Sequence, residues 1–293
     1  MRDRGAMTNP RGTPMSDAPR RKYRRILLQI DSSTHSRHTM VAAIEIAARL
    51  GGELQGVFVE DSDLATVSDL GFVREYRFLS PGAHRLDRPT LEAQFRAMAR
   101  SMQRQLEQAA RQRQVAVGFR AVRGAWPASE SDLDDADLVI IETTGRLQSR
   151  NLRDEIARRG GPSKLPRPTL LLKGAKSLSA EALIICDSVS VAEIGVRTAR
   201  QLLSIPLSNI TLLPLGLDEG ARARLAEFAT SLRESEGETA RVLPPLSAEN
   251  AHLLKEILAQ EMLVIAAADG LYLRDPKNLQ QLLTSRHPLL LLH

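Results

Sequence analysis

The feature that most constrains this chain is a strand–helix pattern that occurs twice. Two apolar segments that each end in an aspartate, Ile26 to Asp31 and Ala182 to Asp187, have their aspartates 156 residues apart. Each segment is followed by apolar residues at helical spacing and then by another apolar segment. Such alternation is typical of parallel sheets, because a helix must carry the chain back between parallel strands. The sequence therefore predicts two α/β units in tandem rather than an array of many repeats.

The best-defined crossover of the first unit lies between Leu138 and Lys173. An apolar run that ends at Ile141 is followed by a polar turn, a charged segment and a second apolar run that begins after prolines. This order predicts a strand, a loop, a helix and a strand. Ligands of such sheets bind at the carboxyl ends of the strands, so we expect any ligand to lie next to Glu142 and Gly145.

The same patterns divide the chain into three parts. Residues 1–22 are predicted to be a disordered basic tail, residues 23–174 a first domain and residues 179–293 a second domain. Residues 61–90 lack clear periodicity and are predicted to form a long insertion in the first domain. In the first helix, Glu45 and Arg49 have the spacing of an i,i+4 ion pair.

The basic character of the chain belongs to its first 25 residues. The whole chain has a net charge of +5, whereas this segment alone has +6, with eight Arg or Lys residues against Asp3 and Asp17. Its glycines and prolines, and its shortage of apolar residues, predict disorder. A tail of this kind can contact nucleic acid or anionic lipid, and a solvated leader is the simpler alternative. We expect nucleic-acid binding, if any, through the tail alone.

Several other classes of protein are excluded by composition. No apolar run approaches the ~20 residues of a membrane span, and no signal peptide is predicted. The one cysteine, Cys186, excludes an internal disulfide and a cysteine-based zinc site, and it fits a reducing cytoplasm. The sequence contains no nucleophile elbow, Walker loop or zinc-protease motif. We therefore expect a cytoplasmic protein that is not an enzyme and that holds no metal.

Four segments together resemble a known family by their order and spacing. They are Ile26 to Ser33, Arg49 to Leu54, Leu138 to Gly145 and Pro166 to Pro168. In these segments the first unit resembles the universal stress proteins, and the second unit resembles a diverged copy. The resemblance to tandem bacterial members implies an α/β fold of two Rossmann-like, adenine nucleotide alpha hydrolase-like domains, each with five parallel strands. It also implies a pseudo-dimer, in which the last strands, Thr169 to Lys173 and Pro288 to Leu292, pair within the chain.

The resemblance also bears on nucleotide binding. Members that bind nucleotides carry Gly-x2-Gly-x9-Gly-Ser/Thr after the fourth strand, where glycines let backbone N–H groups approach phosphates. Aligned without gaps, these positions fall on Glu142, Gly145 and Glu155 with its neighbour, so that Gly145 alone is kept. In the second unit the first two fall on Ala267 and Gly270, and no glycine follows. A carboxylate beside a phosphate costs about 1–4 kcal/mol, so the sequence predicts a degenerate ATP motif.

The adenine end of the family's site is better preserved. Asp31 matches the acidic residue that contacts the nucleotide, and Val59 matches the residue whose backbone meets adenine; Asp187 and Leu215 are their equivalents in the second unit. Charge complementarity at a helix N-terminus is an alternative role for both aspartates. The candidate residual site for ATP or AMP therefore consists of Asp31, Val59 and Gly145.

These features predict a non-catalytic universal stress protein that acts in stress response through contacts with an unknown protein partner and needs no cofactor. The alternative is a stress sensor that binds AMP or ATP through the first domain. A third hypothesis is association with nucleic acid through residues 1–25. Formation of a homodimer is compatible with each of them.

Overall fold

The computed structural model describes residues 23–31, 37–61, 74–76, 83–85, 88–124, 136–143, 152–154, 156–165, 168–173, 178–203, 207, 209–236, 239–245, 258 and 262–293. The strands are β1 (Arg25–Asp31), β2 (Glu53–Asp61), β3 (Arg74–Tyr76), β4 (Ala83–Arg85), β5 (Val117–Gly124), β6 (Leu138–Glu142), β7 (Thr169–Leu172), β8 (Glu181–Cys186), β9 (Asn209–Pro214), β10 (Thr239–Val242), β11 (Leu263–Ala267) and β12 (Leu289–Leu292). The helices are α1 (Arg37–Leu50), α2 (Arg88–Arg113), α3 (Val189–Leu202), α4 (Glu219–Glu236), α5 (Leu271–Arg274) and α6 (Pro276–Thr284). Residues 152–154 and 156–158 are also helical, and a 3-10 turn spans Pro162–Lys164.

Ten of these strands form one sheet, in the order β10-β9-β8-β11-β12-β7-β6-β1-β2-β5. The first half of the sheet contains β1, β2, β5, β6 and β7, and the second half contains β8 to β12. Strands within each half are parallel, and the two halves have the same internal order. The predicted α/β fold, with two Rossmann-like five-stranded parallel sheets in tandem, is confirmed. The domain boundaries at residues 23–174 and 179–293 stay predictions.

The two half-sheets meet where β7 pairs with β12. This pair is antiparallel, with Leu170 opposite Leu290 and Leu171 opposite Leu289. The predicted pairing of the last strands within the chain is confirmed by this register. Both strands are buried on both faces, which explains why each reads as a continuous apolar run rather than an alternating one.

The apolar core covers both faces of the sheet and continues across this junction. On one face, Leu170 of β7 and Leu290 of β12 belong to the same buried cluster. On the other face, Leu171 and Leu289 belong to a second cluster. Each cluster also includes residues from the strands and helices of both halves, so neither half is packed as a separate core.

Two cations of the first half cap helices of the second half. The Arg49 Nη1 atom donates a hydrogen bond to the carbonyl oxygen of Leu202, the last residue of α3. The Lys173 Nζ atom donates to the carbonyl of Leu282 and, at 2.8 Å each, to those of Leu283 and Ser285 at the end of α6. Such hydrogen bonds satisfy carbonyl oxygens that a helix leaves unpaired at its C-terminus, so both contacts hold the halves together.

A third contact between the halves is buried. Tyr23 is 1% exposed and Thr198 of α3 is 2% exposed. Burial raises the pKa of the Tyr23 hydroxyl, and the nearby Thr198 side chain works in the opposite direction. The first residue that the structure describes is thus packed against a helix of the second half.

Some predicted features differ from the structure or lie outside its description. Within residues 61–90, β3 and β4 pair as an antiparallel hairpin, which the lack of periodicity did not predict. Helices α5 and α6, between β11 and β12, were also not predicted. The predicted disordered tail of residues 1–22 lies outside the described residues. None of the helices that the structure describes is both long and apolar enough to cross a membrane.

We predict that Lys173→Met lowers the free energy of unfolding by about 1–3 kcal/mol, because buried carbonyl oxygens at the end of α6 lose their donor. Chemical denaturation measures the change. Lys164→Met is the matched control, since Lys164 is exposed.

The loss in free energy of unfolding that Lys173→Met causes should depend on pH. Burial lowers the pKa of Lys173 to about 7, whereas an unfolded lysine has a pKa of about 10.4. The folded protein therefore binds fewer protons than the unfolded chain between these values, so the contribution of Lys173 to stability rises with pH across this window. The cost of Lys173→Met should be larger at pH 10 than at pH 7; an equal cost at both would contradict this assignment.

Candidate functional site

The sheet places two predicted residues of the adenine end side by side. Asp31, the last residue of β1, pairs in register with Val59 of β2, which in turn pairs with Val122 of β5. Val59 is 1% exposed. The side chain of Asp31, and Gly145 and Glu155 as a whole, lie outside the described residues. Asp31 and Val59 are therefore backbone neighbours at the carboxyl edge of the first half.

Glu142 lies inside the sheet rather than in a loop. Its backbone is the last position of β6 and pairs with Leu172 of β7, and the N–H of Thr143 still donates to the Leu172 carbonyl at 2.8 Å. The Glu142 side chain is 1% exposed. The position aligned with the family's first glycine thus carries a buried carboxyl group on regular strand backbone. We expect this position to be unable to wrap backbone N–H groups around a phosphate.

The corresponding edge of the second half is closed by its own side chains. The Asp187 Oδ2 atom accepts a hydrogen bond from the backbone N–H of Leu271 at 3.1 Å. A Cβ atom placed on Gly270 would lie 3.3 Å from the same oxygen and 3.0 Å from the Ala267 carbonyl oxygen. The structure therefore brings together three aligned positions, Asp187, Ala267 and Gly270. The carboxylate of Asp187 thus occupies the backbone N–H of the residue that follows Gly270.

Leu271 lies against the end of β9 at the same edge of the sheet. Gly216, which follows Leu215 at the end of β9, has a φ of +66°, and a Cβ placed there would lie 2.8 Å from the Leu271 Cδ1 atom. Leu271 is 46% exposed, the one large hydrophobic side chain found exposed in the described part of the chain. It lies between the end of β9 and the loop after β11. The sequence analysis did not identify Leu271 as a site residue. Its one sequence signal is its position directly after Gly270, which aligns with the second glycine of the family's motif.

The helix that follows Asp187 does not use that carboxylate as its cap. The Ser188 side chain accepts a hydrogen bond from the backbone N–H of Val191 at 3.2 Å and so caps α3. Ser188 thus makes the capping hydrogen bond of α3, and the Asp187 carboxylate accepts a hydrogen bond from the loop after β11. The charge of Asp187 lies one residue before the cap, so its alternative role of complementing the helix N-terminus stays open.

The described residues offer little covalent or metal chemistry. Burial raises the pKa of the Cys186 thiol to about 12, so it stays protonated. No group of three or more His, Cys, Asp or Glu side chains in the described ranges could hold a metal ion.

Comparison with solved structures places this fold among known ones. It is similar to the crystal structure of a universal stress protein from Archaeoglobus fulgidus, with a TM-score of 0.60 and 12% identity over 92% of this chain and 95% of that chain. It is also similar to a functionally unknown protein from Pseudomonas aeruginosa, with a TM-score of 0.51 and 14% identity over 93% of each chain. No protein-family model and no curated protein matches the sequence. At these identities the likeness shows a shared fold.

We predict that Asp187→Ala destabilises the protein by about 1 kcal/mol, because the Leu271 N–H loses a charged acceptor at a partly exposed site. Asp187→Asn keeps an oxygen acceptor and should recover part of the loss. Thermal or denaturant unfolding measures both variants. Equal stability of Asp187→Ala and the wild type would contradict the closed edge described above.

Proposed function

We propose that this chain, which has the fold of the universal stress proteins, is a non-catalytic member of that family that acts in stress response through protein contacts. In this proposal neither half holds a triphosphate tightly. The observation that carries it is the hydrogen bond between Asp187 and the Leu271 N–H, because it fills the second half's edge without a ligand.

The first half supports the same proposal through Glu142. A glycine at this position would have no side chain, whereas Glu142 brings a carboxyl group into a buried site at the end of β6. A phosphate beside it would meet electrostatic repulsion if the group were ionised, or would require it to take up a proton. Either route costs binding free energy, so we expect weak triphosphate binding here.

Helix α2 supplies a surface that suits a protein partner. Arg96, Arg100, Arg104 and Arg111 are exposed, and their spacing places them on one face of the helix. Only two of the four have i,i+4 carboxylates in contact, Arg96 with Glu92 at 4.0 Å and Arg111 with Glu107 at 3.9 Å, among the pairs found in the described ranges. The surface is therefore basic, and it fits an acidic partner.

We further propose that the protein catalyses no reaction and works in the cytoplasm. The buried, protonated Cys186 supports the first point, because a protonated thiol is a poor nucleophile. A single cysteine held reduced in a β-strand supports the second.

A nucleotide sensor is the second candidate function, and one observation favours it. Asp31 and Val59 are direct neighbours across β1 and β2 at the carboxyl edge of the first half. AMP or another adenosine compound could be held through these residues without the phosphate loop. For this candidate function, the nucleotide would bind to the first half only.

Isothermal titration calorimetry of the full chain with ATP and with AMP separates the two candidates. The leading proposal predicts a Kd weaker than about 1 mM for both nucleotides, a binding free energy no better than about −4 kcal/mol. Binding of AMP that Asp31→Ala abolishes would establish the sensor instead. Micromolar ATP binding, or ATP retained through purification in native mass spectra, would contradict the leading proposal. Asp218→Ala is the matched control, because Asp218 caps α4, away from the β1–β2 edge.

A further inference from the structure

A cavity of about 240 Å³ lies at the amino edge of the second half-sheet. Its lining includes Glu181, Asn209 and Thr239, which are the first residues of β8, β9 and β10. Asn209 pairs in register with both of the others, so the three form one row across three strands. Thr211 and Arg241, which pair two residues further along, also line the cavity. Because residues two apart on a strand point to the same face, all five side chains lie on one face of the sheet.

The two charged residues of this cavity bond to neutral neighbours rather than to each other. The Arg241 Nε atom donates to the Thr211 hydroxyl oxygen at 3.0 Å. The Asn209 Nδ2 atom donates to the Glu181 Oε1 atom, also at 3.0 Å. Among the residues that the structure describes, neither charged group has a further hydrogen bond or ion pair. The two Nη atoms of Arg241 and the Oε2 atom of Glu181 can therefore bind a ligand.

The two bonds place opposite charges at two points along β9. The carboxylate of Glu181 is held at Asn209 and the guanidinium of Arg241 at Thr211, and these neighbours lie about 7 Å apart along the strand. The lining contains no other charged residue, so its net charge is zero. A ligand that satisfies both groups has a cationic donor at one end and a carboxylate at the other.

The size of the cavity restricts the ligand further. Its volume is below the ~300–1,000 Å³ of pockets for drug-sized molecules. The floor is polar at Thr211, which is 3% exposed and whose hydroxyl still has its own hydrogen to donate. These features favour a short, polar ligand over a large or apolar one.

The equivalent edge of the first half has a different arrangement. There Arg25 and Glu53, the first residues of β1 and β2, pair with each other at 3.4 Å. The position that corresponds to Arg241 is Gly118 of β5, and a Cβ atom placed on it would lie 2.2 Å from the Gln55 Oε1 atom. The first half thus neutralises its charges directly and has no arginine at this position. Separated opposite charges are therefore a feature of the second half's edge and do not follow from the fold alone.

We propose that this cavity binds a small ω-amino acid, a zwitterion whose ammonium and carboxylate groups are separated by a short chain. The ammonium group lies at Glu181, and the carboxylate accepts from Arg241 and the Thr211 hydroxyl. The inference goes beyond the proposed function and does not depend on it. The nucleotide edges lie at the carboxyl ends of the strands, about 17 Å away along the six residues of β8.

The test is a thermal shift and calorimetric titration of the full chain with 4-aminobutyrate. Butyrate and butylamine, which each keep one of its two charges, are matched ligand controls. Glycine keeps both charges but places them on neighbouring carbon atoms. We expect 4-aminobutyrate to raise the melting temperature and to bind with a Kd below about 1 mM. Each of the three controls should bind about tenfold more weakly or worse, because it leaves one of the two charged groups without a partner.

Three variants of the protein address the two ends and the volume of the cavity. Glu181→Gln and Arg241→Gln each remove one charge and keep a side chain that can bond to β9, and each should weaken binding about tenfold or more. Thr239→Trp fills the cavity from an exposed position and should abolish binding.

The matched control variants are Glu227→Gln and Arg224→Gln. Both residues are exposed on α4, which packs on the other face of the sheet. Melting temperatures without ligand show whether each variant is folded.

Each outcome decides the proposal. Binding of 4-aminobutyrate that the cavity variants weaken and the α4 variants leave intact supports it. No binding to the wild type, or equal binding of butyrate, butylamine or glycine, would overturn it. Binding that the folded cavity variants leave unchanged would overturn it as well, since the ligand would then lie elsewhere.

Discussion

The antiparallel pairing of β7 with β12 is the contact on which the rest of the structure depends. It turns two five-stranded sheets into one sheet of ten strands. Each of the two strands would otherwise present unpaired backbone groups and leucines on an apolar edge, a known risk for aggregation. The pairing satisfies those groups within one chain and lets the core on both faces continue from one half to the other. The edge strand of each half-sheet is thus paired by the edge strand of the other.

The caps across the junction follow from the same arrangement. Once β7 and β12 are paired, Lys173 at the end of β7 lies beside the C-terminus of α6, and its amino group meets three carbonyl oxygens. Arg49 at the end of α1 meets the C-terminus of α3. Tyr23 meets Thr198. These polar contacts specify how the halves fit, while the apolar core supplies most of the driving force.

The two halves have the same strand order, but the carboxyl edges of their sheets carry different side chains. In the first half, β1 and β2 bring the backbones of Asp31 and Val59 side by side. In the second half, Asp187 binds the Leu271 N–H, and Leu271 packs towards Gly216. A few side chains thus distinguish the two edges although the strand order of the two half-sheets is the same.

Much of this fold was predictable because parallel strands buried on both faces leave a strong signal. The apolar runs at Leu138 to Ile141 and Pro288 to Leu292 identified strands, and the order of such runs identified the sheet. Short elements without such runs were missed, including the β3–β4 hairpin and helix α5. The sequence also could not predict which side chains pair between elements that are distant in the chain. Glu45 and Arg49 have the spacing of a local ion pair, yet Glu45 binds Arg113 at 2.8 Å.

The candidate site shows the same limit of sequence reasoning. The alignment predicted that Asp187, Ala267 and Gly270 are equivalent to nucleotide-binding positions, and they do lie together. It could not predict that Asp187 reaches a backbone N–H after β11 instead of capping α3. That choice depends on the distance between two loops, which neither loop's residues encode alone. The side chains around Gly145 stay a prediction from the sequence.

The central claim is that one shared core makes the two halves a single cooperative unit, and differential scanning calorimetry tests it most directly. The account predicts one reversible transition whose calorimetric enthalpy equals the van 't Hoff enthalpy. Two separated transitions, or a calorimetric enthalpy about twice the van 't Hoff value, would show that the halves unfold independently and would contradict the account.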